Sequence, residues 1–442
     1  MSKRFLIDPQ TTQDIQLLDV TGRSIWGFFN HAITAGGEDF LRELFLNPLS
    51  DVDAIKDRQL KIRRLEPVVQ EDFPFYRMVV IDIEKYIKRS HSGERSGWGL
   101  LDLFVAKAPI YYYKVSSIIE TCDFLLKSQA FYKKVNAHQP YDDIAEMIHI
   151  HEECLSMIFK GGPYNTERLK INRFNLDAYD RLIRYELSGK IKQAIAFFYE
   201  IDAYFAVTRT AKEYGFCYPE IFPKHHTGRI HMQEVYHIFH QHPVKNTIQM
   251  TREKRIWYLT GANMAGKSSF IKTISTVLYL THIGFPAPAS SVKTDLIDGV
   301  FTSINLQDNL ELGYSHFYAE AIRLKEIVDQ LDKNTNALII LDELFKGTNH
   351  IDASNAIFDI IDHLSHTDGP YVIVSSHVTD LAPRLKLLPV VDFYKMNIES
   401  GEEGDPRFTY TIVPGVAEEK LGMWLLKKSG VFQSIARLKD MS

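Results

Sequence analysis

Cysteine is scarce in this chain, with Cys122, Cys154 and Cys217 the three among 442 residues. They are odd in number and far apart, which argues against a disulfide framework or a zinc knuckle. No apolar run reaches membrane-spanning length, and the N-terminus from Met1 to Asp8 lacks the apolar stretch of a signal peptide. The expected compartment is the cytoplasm, with no membrane partner. Charge of one sign is missing too: 51 basic against 56 acidic side chains leave −5. That balance speaks against a protein that coats DNA indiscriminately, while leaving room for a local basic surface or an enclosing ring. What remains, 45% hydrophobic and 24% charged residues, suits an ordinary globular protein of two or three domains.

The most informative stretch is Gly261-Ala-Asn-Met-Ala-Gly266-Lys267-Ser268, preceded by the apolar run Ile256 to Leu259. It fits G-x-x-x-x-G-K-[ST], a phosphate-binding loop between a strand and a helix. Glycines let the backbone curl so that successive N–H groups converge on a triphosphate. The positive end of the following helix, Ser268 to Leu280, adds to the attraction. Lys267 is placed to reach the β and γ phosphates, and the Ser268 hydroxyl to ligand Mg²⁺.

Strand and helix patterns alternate after this loop. Asn336 to Glu343 is an apolar run ending in two acids, the form of a buried strand that delivers carboxylates to its C-terminal edge. Asp342 is the candidate for the Mg²⁺ shell and Glu343 for the general base that polarises water. A second such strand, Tyr371 to Ser376, ends in His377, a candidate γ-phosphate sensor at the same edge. Between them, Gly313-Tyr-Ser315 opens a helix expected over Phe317 to Leu331, offering N–H groups and a hydroxyl to an anion. A second anion site on one nucleotide domain makes sense if Ser315 completes the site of a partner subunit, which predicts a dimer with two shared ATP sites.

The first 240 residues read as helical. Periodic apolar residues run from Ser24 to Leu65, with a break at Asn47-Pro48, and again through 106–135 and 141–159. The longest signal spans Leu176 to about Tyr214. In it Leu187, Ile191, Ala194, Phe198, Ile201 and Phe205 recur at alternating spacings of four and three, a coiled-coil-like seam. No strand signal is strong enough to claim a sheet. Two histidine-rich clusters, His149 to Cys154 and His225 to His242, lack the spacing of a metal site and are expected to be solvated or satisfied. Arg168, Lys170, Arg173, Lys190 and Lys192 are expected to be a solvated face.

The ordered motifs resemble those of one family. Thr260-Gly-Ala-Asn-Met-Ala-Gly-Lys-Ser-Ser269 is similar to the T-G-P-N-M-G-G-K-S-T loop of the MutS mismatch-repair ATPases, a branch of the ABC ATPases, with Ala262 and Ala265 in place of proline and glycine. Asp342 to Asp352 resembles the family's D-E-x-x-x-G-T-x-x-x-D segment, Gly313 to Phe317 its G-x-S-x-F signature, and Ser375-Ser-His377 its switch histidine. The resemblance implies ATP contacts from Gly261, Ala262, Asn263, Met264, Ala265, Gly266, Lys267, Ser268 and Ser269, and base-side contacts from Val244 and Asn246. Gly415 to Gly430 resembles the helical dimerisation segment that ends MutS ATPase domains. More weakly, Phe28 to Pro48 and Ile201-Asp-Ala-Tyr resemble parts of the MutS core and lever. Nothing before residue 20 resembles the mismatch-reading domain with its Phe-x-Glu wedge, or the connector.

The expected architecture is thus an all-α MutS-like core and lever over 1–240, then an α/β ABC-type P-loop domain over 241–442. The expected function is ATP and Mg²⁺ dependent hydrolysis at composite sites of a homodimer, moving helical arms around DNA, with a protein partner of the repair machinery possible. The alternative is a nucleotide-gated scaffold that binds a protein and no DNA. A plain kinase fails to explain Ser315 and the Asp342-Glu343 pair together.

Overall fold

The computed structural model describes residues 4–18, 23–71, 73–74, 77–88, 108–304, 316–332, 335–345, 348–400, 405–418, 428–432 and 434–435. The chain divides into two compact units, one of Phe28–Asn47 with Leu60–Glu213, the other of Met1–Gly27, Pro48–Gln59 and Tyr214–Ser442.

The first unit is helical among the described residues, with its longest helices at Ala108–His138, Asp142–Phe159 and Ser188–Tyr214. All six residues of the expected seam, from Leu187 to Phe205, are buried. The single helix expected from Leu176 is interrupted, however. Leu176–Arg181 passes into a π-helical turn at Leu182–Glu186, closed by the Leu187 N–H donating to the Leu182 carbonyl at 2.9 Å. That wide turn inserts one residue and resets which face points inward.

A buried carboxylate ties this unit together. Asp202 accepts from the N–H groups of Ile33 (3.0 Å) and Thr34 (2.7 Å) and from the Thr34 hydroxyl (2.6 Å). Thr34 in turn caps the helix Ala35–Leu46 through Gly37 N. A Cβ on Gly37 would sit 2.3 Å from an Asp202 oxygen, so only glycine permits this approach.

The first histidine cluster is satisfied by packing. Among the described residues no group of three His, Cys, Asp or Glu side chains is arranged to hold a metal. Glu152 pairs with Lys133 and Glu153 with Lys190. His151 is fully buried, with Nδ1 2.7 Å from the Met147 carbonyl and Nε2 2.9 Å from Ser128 Oγ. Burial pushes its pKa down to about 4 from 6.5.

The second unit is α/β. Its ten strands among the described residues are β1 (Glu220–Phe222), β2 (Arg229–Val235), β3 (Asn246–Thr251), β4 (Ile256–Thr260), β5 (Ser291–Asp295), β6 (Gly299–Ser303), β7 (Ala337–Asp342), β8 (Tyr371–Ser376), β9 (Val391–Ser400) and β10 (Pro406–Pro414). They form a mixed four-stranded sheet, β1-β5-β2-β3, and a six-stranded sheet, β10-β9-β4-β8-β7-β6. In the larger sheet all pairings are parallel except β9 with β10. β4, β6 and β8 are buried at every position, which explains their continuous apolar runs.

The boundary expected at residue 240 is corrected here. β1 and β2 precede it, and two earlier segments belong to the α/β unit. Leu6 pairs in parallel with Gly299 at the β6 edge. Arg323 grips Asp8 at 2.7 and 3.0 Å, and Asp14 accepts from the Thr302 hydroxyl at 2.7 Å. The N-terminal segment thereby covers a sheet edge that would otherwise stay open. Ile55 packs with Ile221 and Leu296, holding the second segment. No helix among the described residues is long and apolar enough to cross a membrane.

The depressed His151 pKa makes stability pH-dependent. The unfolded histidine takes a proton near pH 6.5 while the folded one resists until about pH 4, so this contribution is complete above pH 6.5 and shrinks as pH falls through that window. The loss should reach about 3 kcal/mol. Urea unfolding of the helical unit at a series of pH values should show the slope, and His151→Gln should flatten it; an equal slope in the variant refutes the assignment.

Candidate active site

Strand order brings the motifs together. β7 lies beside β8 with Asp342 opposite Ser375, and β8 lies beside β4 with Ser376 opposite Thr260. The residues that follow these strands, Glu343, His377 and Gly261, therefore emerge side by side at one sheet edge. The Glu343 N–H donates to the Ser375 carbonyl at 2.8 Å.

The loop after β4 curls as its glycines allow. Gly266 has φ +97° and caps the helix Lys267–His282, while Met264 adopts φ +68° and is largely exposed. A side chain on Gly266 would be strained by its φ and would press against the Tyr410 ring at 3.0 Å. Lys267 is buried, its ammonium donating to the Gly261 and Ala262 carbonyls at 2.9 and 3.2 Å and lying 3.5 Å from Glu343 Oε1.

Glu343 is held from a second side by His377, whose Nε2 is 2.5 Å from Oε1. The other ring nitrogen, Nδ1, is 3.0 Å from the Gly261 carbonyl. Both ring nitrogens face oxygens, so His377 bridges the loop backbone and the Glu343 carboxyl. Ser268 Oγ donates to Asp342 Oδ2 at 2.6 Å, while Asp342 Oδ1 is buried without a hydrogen-bond partner. A hydroxyl beside a half-satisfied carboxylate is an all-oxygen donor set that suits a hard divalent cation such as Mg²⁺.

A cavity of about 510 Å³ opens above these groups, within the range of small-molecule sites. Ala262, Asn263, Met264, Gly266, Lys267, Ser268, Ser269 and Glu343 line it, together with Val244, Asn246, Tyr410, His237, His240 and His242. Gly261 and Ala265 are buried under the loop rather than in the lining. The His237 and His240 rings lie 5.1 Å apart. Burial, then His240 and Lys272, push the His237 pKa down to about 4, leaving a neutral ring at pH 7. Ser315 and most of the segment 415–430 lie outside the described residues.

Two features escaped the sequence reading. The β9–β10 pair was not anticipated, and with it Tyr410. The register of that pair shifts between Phe408 and Ile412, and Tyr410 in the bulge takes φ +58°, bringing its ring against the loop. Alternation at Phe408, Tyr410 and Ile412 hints at the strand, but nothing local gives the bulge. Asn246, expected to face a base, has its side-chain amide committed elsewhere: Nδ2 donates to the Tyr410 carbonyl at 3.0 Å and Oδ1 accepts from Ile412 N at 2.8 Å. It clamps the bulge that carries Tyr410.

Fold and site together define an α/β domain with a strand, glycine loop and helix at its sheet edge, and acids from β7, across β8, beside it. Residues 257–440 match the family MutS domain V. The DNA mismatch repair protein MutS of Aquifex pyrophilus is 29% identical over 292 residues, 62% of this chain and 34% of that protein. Its counterpart in Ehrlichia ruminantium is 30% identical over 192 residues, 43% and 24% respectively, and that of Chlorobium phaeovibrioides 28% over 253 residues, 56% and 28%. Residues 257–440 are thus similar to MutS domain V, and the chain spans about a third or less of the length of these curated relatives.

Asn246→Ala should cost about 2 kcal/mol, the price of two strand contacts left unmade in a largely buried place. Urea unfolding of the α/β unit measures it; a loss below about 0.5 kcal/mol would mean that strand pairing alone holds the bulge.

Proposed function

We propose that this chain is a MutS-like ATPase acting in DNA mismatch repair or a related DNA-structure transaction. The observation that carries the reading is the convergence of Lys267, Ser268 with Asp342, and Glu343 with His377 on one edge of the sheet beside the cavity. The names of the relatives support the repair context.

In this reading the loop amides and Lys267 bind the triphosphate, whose oxygens compete with the Gly261 and Ala262 carbonyls for the ammonium. Ser268 and Asp342 would hold Mg²⁺, which when bound neutralises charge on the phosphates. Glu343 orients the attacking water and takes its proton, and His377 fixes the Glu343 carboxyl and reads the state of the γ-phosphate. Val244, in the cavity lining, is the base-side candidate. By family resemblance Ser315 completes a partner's site, so the working unit is a homodimer, and hydrolysis drives helical arms that engage DNA. The cytoplasm is the proposed compartment.

ATP turnover by the wild type and Glu343→Gln, with duplex, mismatched and branched DNA added in turn, tests this. Glu343→Gln should lower turnover by about 10²-fold or more while keeping nucleotide binding, and Lys267→Ala should weaken binding by about tenfold or more. One of the DNAs should raise the wild-type rate. Glu343-dependent turnover indifferent to every DNA would transfer the reading to a nucleotide-gated scaffold for a protein partner.

A further inference from the structure

The turn after β7 carries the candidate base in an unfavourable backbone conformation. Glu343 has φ +51° and Phe345 φ +63°, a region that non-glycine residues enter only when their surroundings impose it. On one side the turn is fixed by β8, through Glu343 N to the Ser375 carbonyl at 2.8 Å. On the other it is fixed by the helix His316–Asp329, which contributes nothing to the cavity lining.

Two side chains of that helix make the second attachment. The Glu320 carboxylate accepts from the Phe345 N–H, and the Phe317 ring packs on the Phe345 ring with centroids 4.8 Å apart. Phe317 and Glu320 are three residues apart and so share one helix face. Glu320 is 4% exposed, as is Phe345. A charged acceptor on a buried backbone N–H is among the stronger hydrogen bonds a protein makes. It acts two residues from Glu343, where a small rotation of the turn would swing the catalytic carboxyl away from His377 and Lys267.

We propose that Glu320 is a positioning residue for Glu343: it holds the strained turn so that the Glu343 carboxyl stays between Lys267 and His377. The inference deepens the reading of Glu343 as general base and rests on it.

Glu320→Ala removes the acceptor, and Glu320→Gln keeps an oxygen of the same reach. In full-length protein, Glu320→Ala should lower kcat by about tenfold or more with KM and the nucleotide Kd changed by less than about threefold, and Glu320→Gln should stay within about threefold of wild type. Added to Glu343→Gln, Glu320→Ala should alter the residual rate by less than about twofold, since it acts only through the missing carboxylate. Amide exchange supplies a readout independent of turnover. Peptides covering 341–345 should exchange about tenfold faster or more in Glu320→Ala and not in Glu320→Gln. Unchanged exchange there, or a uniform rise across the α/β unit, overturns the proposal, as does an unchanged kcat. Local exchange that rises while Glu343→Gln turns over like wild type keeps the clamp and removes the general-base reading instead.

Discussion

The parallel register of β7, β8 and β4 is the constraint on which the site depends. Side chains alternate across a strand, so a slip of one residue in β7 would exchange the directions of Asp342 and Glu343. The register holds because these strands are apolar and almost wholly buried, with Ile339, Leu341, Val372, Val374, Ile256 and Tyr258 in a single cluster. Hydrophobic burial thus fixes the position of polar groups that contribute little to it. The charged residues occur where the apolar runs stop, at an edge where water and ligands have access.

At that edge the polar groups pair with one another, Asp342 Oδ1 excepted. Lys267 is bonded to loop carbonyls, His377 bridges Gly261 and Glu343, and Ser268 donates to Asp342. Each of these contacts is made to a group that a triphosphate or a cation would also seek. This arrangement keeps buried charge paired. Left-handed backbone occurs at Met264, Glu343 and Tyr410 in the cavity lining, and at Phe345 two residues beyond Glu343. Such conformations persist only when neighbouring structure imposes them, and here the neighbours are named: β8 and Glu320 for the β7 turn, Asn246 for the Tyr410 bulge.

Contacts distant in sequence complete the α/β unit. The N-terminal segment reaches β6 and Arg323, and 48–59 packs against β1 and the end of β5 through Ile55, Ile221 and Leu296. Neither segment carries a strand-like pattern of its own; helical periodicity places 48–59 in the all-α part, and the N-terminal segment is grouped with it. Periodicity reports which face of an element is buried; it does not report what covers that face.

The division between sequence and tertiary structure follows the range of the physics involved. Local chemistry sufficed for the glycine loop and its helix, for two buried strands ending in Asp342-Glu343 and His377, and for the seam from Leu187 to Phe205, because backbone conformation, capping and burial pattern act over a few residues. The order of the strands was beyond it, and so were the β9–β10 pair, the bulge that aims Tyr410, the recruitment of Asn246 to that bulge, and the hold of Glu320 on Phe345. The last two join residues 166 and 25 positions apart, and such a pairing is chosen by how the whole core packs rather than by any window of the chain.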